Sequence, residues 1–186
     1  VKASGLELCN AIKQNIFVCL DLDQCKHKID GNESNELSFE PIEEGNNKPS
    51  IETAFHILMP HKFVIHTHSL DIIANTITDT GICNIKKALD GMNWDIIPYY
   101  RPGLPLAKAI AGILNKKNVD ILLLKNHGVI VGGKNAKEAF EIHEQVNKRL
   151  KIIERIPNCI NEEKINFIYK KLISYGLNLS LPKDNI

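Results

Sequence analysis

The chain has 186 residues, 44% of them hydrophobic, and its 23 basic and 22 acidic residues leave a net charge of +1. That composition suits one ordinary globular domain over residues 1–186 and excludes the basic footprint of a nucleic-acid or anionic-membrane binder. Apolar runs fall far short of the roughly 18–20 residues of a membrane helix, and no signal-like leader is visible.

The five cysteines are scattered, with no C-x-x-C pair. They read as reduced thiols in a cytoplasm rather than as a disulfide framework or a thiolate metal site. Residues 15–22 read as a strand. The polar stretch 24–49 reads as a loop, with one short strand at 36–39. Ser50 is placed to cap a helix over 51–59 that stops at Pro60. A strand follows at 62–68, then helices at 70–78 and 84–90 and a strand at 94–99. Pro105 suits the first position of a helix over 106–115. Strands at 120–125 and 129–131 flank an Asn-His-Gly turn. Asn135 caps an amphipathic helix from 136 to about 153, and a last helix is expected over 162–175. Strands alternating with helices predict an α/β layered domain, and their order leaves the sheet parallel, antiparallel or mixed.

The most specific signal is the H-x-H step His66-Thr67-His68 on the 62–68 strand. Side chains alternate along a strand, so both rings share one face. Two neutral imidazoles there can take two corners of a tetrahedral metal site, although an isolated pair also suits an edge strand bonded to backbone. His127 ends another apolar run, and the Gly after it permits close backbone approach, so it is the candidate third ligand. Three protein ligands with one corner open is the pattern of a catalytic zinc, although another divalent metal also suits the set. Glu52 is the candidate acid: it starts the helix before this strand, where the helix dipole favours a carboxylate. It would act as a general base or reach the metal itself. His56, one turn later on the same helix, reads as a satisfied core histidine or a supporting residue.

The strings PSIETAFH, PHKFVIHTHS and KNHGVIVGG, with VKASG at the start, resemble the class II aldolase/adducin family. The likeness is strongest over residues 1–150 and leaves room for a segment before Val1. It implies an α/β/α three-layer sandwich around a mostly antiparallel mixed sheet, assembled as a homotetramer. It also implies that His66, His68 and His127 are zinc ligands and that Glu52 is the catalytic carboxylate. Ser4, Gly5 and Ser50 match elements that hold the substrate phosphate. Ile51 stands where the aldolases place a second Ser, which removes a donor to a charged group, worth roughly 1.5–3 kcal/mol. No tyrosine occurs between 70 and 95, where the fuculose-phosphate type supplies a proton donor; Tyr99 and Tyr100 are the nearest substitutes.

The expected activity is that of a zinc-dependent aldolase cleaving a ketose or ketose phosphate through a metal-stabilised enediolate. The same chemistry would serve an epimerase, decarboxylase or dehydratase. An adducin-like interaction domain without catalysis is the alternative from another class, and it would be expected to lose the ligands. A domain of a longer chain fused to a dehydrogenase also fits, although no G-x-G-x-x-G occurs in these residues.

Overall fold

A four-stranded sheet of order β1-β4-β3-β2 organises residues 1–152, built from β1 (Phe63–Thr67), β2 (Trp94–Ile97), β3 (Ile121–Leu124) and β4 (Gly128–Gly133). β1 and β3 both run antiparallel to β4, whereas β2 runs parallel to β3, so the sheet is mixed. The computed structural model describes residues 1–31, 37–43, 45, 47–152 and 162–176. The chain forms two compact units, Val1–Ile152 and Ile153–Ile186.

Every residue of β3 and β4 is buried, because helices cover both faces. Period-2 alternation sorts their side chains between two cores. Leu122, Leu124 and Ile130 pack with α1 (Leu22–Asp30), α2 (Thr53–Leu58) and α5 (Leu104–Leu114). Ile121, Leu123, Val129 and Val131 pack with α3 (Leu70–Ile77), α4 (Asp79–Ala88) and α6 (Ala136–Arg149). The result is the expected three-layer α/β/α sandwich. β1 is the edge strand beside β4, which leaves its end free to carry polar chemistry.

Several elements differ from expectation for local reasons. Residues 15–22 form no sheet strand: Ile16 and Val18 are buried, but among the described residues their one β-bridge joins Lys2 and Phe17. The segment then enters α1, where a loop was expected. Asp21 caps that helix by accepting from Gln24 N at 2.9 Å, and Cys25 and Ile29 form its buried stripe. The short strand expected at 36–39 begins outside the described residues, and 37–39 adopt no strand.

Ser50 does not cap α2. Its Oγ accepts from Glu52 N at 3.3 Å within a turn, and Glu52 takes the N-cap position. α4 starts five residues earlier than expected, because Thr78 Oγ accepts from Gly81 N at 3.0 Å. Gly81 is required there: a Cβ would lie 2.0 Å from the Asn75 carbonyl oxygen at the α3–α4 corner. β2 ends at Ile97, since Pro98 cannot donate to a ladder. α6 stops at Arg149, where Asn75 Nδ2 takes the Leu150 carbonyl at 2.8 Å.

In the second unit, α7 (Glu162–Ser174) lies where a terminal helix was expected. No helix among the described residues is long and apolar enough to cross a membrane. Cys9, Cys19, Cys25 and Cys83 are free thiols; Cys159 lies outside the described residues.

Candidate metal centre

His66 and His68 emerge from the end of β1 on one face, and their Nε2 atoms lie 3.1 Å apart. His127 arrives from the turn between β3 and β4. Asn126 takes a left-handed conformation there (φ 56°), a region asparagine tolerates, and its N–H donates to Thr76 Oγ at 3.2 Å. Gly128 then passes so close to β1 that a Cβ would lie 2.2 Å from the Thr67 carbonyl oxygen. Only glycine permits that approach, and its φ of 154° is also one that other residues rarely adopt. The close passage brings His127 beside the H-x-H pair, with ring centroids 5.1 Å from His66 and 5.0 Å from His68.

Glu52 reaches in from the start of α2. Its Oε1 lies 2.9 Å from His127 Nε2, 3.2 Å from His68 Nε2 and 3.3 Å from His66 Nε2. The four donor atoms all lie within 4.8 Å of one another. Phe55 walls the set from below, edge-on to His66 at 5.5 Å and to His127 at 6.0 Å. Access is one-sided: the side chains of His66 and His127 are 5% and 9% exposed, whereas that of His68 is 56% exposed.

Hydrogen bonding indicates what the cluster can hold. His66 Nδ1 lies 2.9 Å from the Val129 carbonyl, which can only accept, so Nδ1 carries the hydrogen. Neutral His66 then presents a lone pair at Nε2, facing a carboxylate oxygen that also only accepts. Such a pair is satisfied by a cation between them. Tetrahedral bonds of ~2.0–2.1 Å would separate ligand atoms by ~3.3 Å, close to the distances found. The donor set therefore fits a divalent ion.

Burial alone would push the Glu52 carboxyl up. With the imidazoles protonated rather than neutral, hydrogen bonds from His127 and His66, and the charges of His66 and His68, outweigh it and hold the group far below the ordinary carboxylate range. Burial also lowers His56 to about 4, with a contribution from His66, so this ring stays neutral outside the cluster.

Ser4 and Ser50 line one cavity of about 520 Å³ next to Ile51 and Glu40. Gly5 sits in the adjoining turn with φ 73°. The segments meet through the Ala3–Pro49 bridge and a 2.8 Å bond from Ser4 N to the Lys48 carbonyl. Lys48 lines the same cavity, a cation that no local pattern in the sequence singled out. Tyr99 and Tyr100 are both exposed after β2.

Residues 1–153 match the family model for the class II aldolase and adducin N-terminal domain. The chain belongs to this family. It is 31% identical over 169 residues to the uncharacterized oxidoreductase YuxG of Bacillus subtilis, covering 87% of this chain and 23% of that protein. It is 31% identical over 149 residues to the 5-deoxy-D-ribulose 1-phosphate aldolase of Bacillus thuringiensis, covering 72% of this chain and 68% of the aldolase. Among solved structures, the N-terminal class II aldolase domain of a conserved Thermoplasma acidophilum protein superposes with a TM-score of 0.68. That match is 28% identical and covers 81% of this chain and 71% of that one. This family chain thus spans about a quarter of the Bacillus subtilis relative and two thirds of the aldolase. Class II aldolases use a divalent metal, which agrees with the glutamate and three histidines gathered here.

Proposed function

We propose that this domain binds zinc and carries a lyase activity of the aldol type, cleaving a ketose or ketose phosphate. The observation that carries the reading is the convergence of three imidazole Nε2 atoms on Glu52 Oε1, at 2.9 to 3.3 Å. His66, His68 and His127 would hold the ion, with Glu52 beside it and one corner left for substrate oxygens. When bound, a divalent cation supplies Lewis-acid stabilisation of the negative charge that develops on substrate oxygens as the carbon–carbon bond breaks.

The chain's own residues do the rest. Glu52 lies beside all three rings, where it would accept the proton released on cleavage and return it to carbon. Phe55 and the buried rings of His66 and His127 keep bulk water from the inner side, where electrostatic interactions are stronger. Ser4, Gly5 and Ser50, with Lys48, are proposed to take the substrate's phosphate or terminal hydroxyl in the adjoining cavity. Ser50 Oγ already accepts from Glu52 N, which leaves its hydroxyl hydrogen free for an anion. The reading extends to a homo-oligomer, tetrameric by family likeness, in a reducing cytoplasm suited to its free thiols.

A retro-aldol screen over phosphorylated and free ketoses, with and without chelator, tests the activity. The expected result is aldehyde release that chelator abolishes and zinc restores. Turnover unaffected by chelator, or full activity in His66→Ala, would contradict it.

A further inference from the structure

The opposite face of β1 carries a polar cluster that the proposed chemistry leaves unused. Thr67 stands between the two histidines and so points to the other side of the sheet. Its Oγ lies 2.8 Å from His143 Nε2 on α6. Two residues later, Ser69 Oγ donates to Asn147 Oδ1 at 2.6 Å, one helical turn further along α6. Asn147 Nδ2 closes the set by donating to the His143 carbonyl at 3.0 Å.

Ser69 occupies the N-cap position of α3, yet its side chain caps nothing. A serine cap is worth about 1 kcal/mol, and here the hydroxyl is committed to α6 instead. α6 therefore grips the chain at 67 and 69, on both sides of His68. That ligand most needs the support. It lies beyond Thr67, the last residue of the β1 ladder, and is the most exposed of the three histidines. His66 Nδ1 is fixed by the Val129 carbonyl, whereas His68 Nδ1 has no hydrogen bond among the described residues.

We propose that the Thr67–His143 and Ser69–Asn147 pairs form a positioning brace that holds His68 in register for the cation. The inference rests on the metal reading of the site. A ligand must sit within about 0.2 Å of its bonding position, and an unsupported strand end does not hold that tolerance. Apart from its Nε2 contacts with Glu52 and His66, the position of His68 depends on the backbone on either side of it. The brace thus does for its backbone what the Val129 carbonyl does for the His66 ring.

The test uses metal-free protein titrated with Zn²⁺ against a chromophoric chelator, and Co²⁺ loading followed by its visible d–d bands. Thr67→Val keeps the side-chain shape but loses the hydroxyl. It is expected to weaken Zn²⁺ binding about tenfold and to alter the Co²⁺ bands, with one ion per chain retained. Thr67→Ser, which keeps the hydroxyl, restores both. Ser69→Ala shifts both readouts in the same direction and alone decides the matter if Thr67→Val does not fold. Wild-type affinity and superimposable Co²⁺ spectra in the folded variants overturn the brace and leave the metal site standing. A wild-type protein that binds neither ion overturns the metal reading itself, and the brace with it.

Discussion

The metal cluster and the Ser4–Ser50 cavity are neighbours built in different ways. The cluster hangs on the sheet: His66 belongs to β1, His127 to the turn entering β4, and Gly128 locks the two strands together. The cavity is framed by loops joined through one bridge and one backbone bond, Ala3 with Pro49 and Ser4 with Lys48. Rigid ladders hold the atoms that must meet to within tenths of an ångström, whereas loops frame the part that would read the rest of the substrate. Substitutions in the first region should abolish chemistry or folding, and those in the second should retune affinity.

The largest effect is expected from His66→Ala or His127→Ala. Metal affinity should fall by more than 100-fold, since even outer partners of ligands are worth 10–100-fold, and lyase activity should fall to background. Metal titration beside the retro-aldol assay measures both. Glu52→Gln should retain an ion on three histidines yet lose roughly 10²–10⁴ in kcat, the usual contribution of a positioned general base.

The same substitution bears on pH. The folded carboxyl of Glu52 is depressed, so its contribution to stability is complete above the ordinary glutamate value of about 4.3. That contribution is lost as pH falls toward the lower folded value. Acid melts of metal-free protein should show wild type losing more stability below about pH 5 than Glu52→Gln does.

Gly128→Ala forces a Cβ to 2.2 Å from the Thr67 carbonyl and should cost about 3 kcal/mol. In a chain of this size that corresponds to a fall in Tm of about 6–12 °C. Lys48→Ala, at an exposed position, should leave Tm and metal content unchanged. It should raise KM about tenfold for a phosphorylated substrate and little for a free ketose, through the loss of one charged hydrogen bond. A uniform KM change would remove Lys48 from phosphate recognition.

The chemistry was more legible in the sequence than the loops around it. Strand alternation put His66 and His68 on one face, and a glycine after His127 signalled the close approach that Gly128 makes. The strands expected at 120–125 and 129–131 and the helices expected at 70–78 and 106–115 lie within two residues of the observed bounds of β3, β4, α3 and α5. α1 was hidden because its buried stripe, Cys25 and Ile29, is thin and set among charges. α4 begins at Asp79, before the expected 84, and Gly81 in its first turn is the residue that fits against Asn75. Lys48 and the Thr67–His143 pair had no local signature at all. The latter two residues lie 76 positions apart, and only the packing of α6 on β1 brings them together.

His66, His68 and His127, with Glu52 beside them, are proposed to hold one divalent ion. Elemental analysis of the purified protein and of His66→Ala, both dialysed with zinc and then against metal-free buffer, tests it most directly. One zinc per wild-type chain and almost none in His66→Ala is the predicted result; no bound metal in wild type, or equal metal in both, would contradict it.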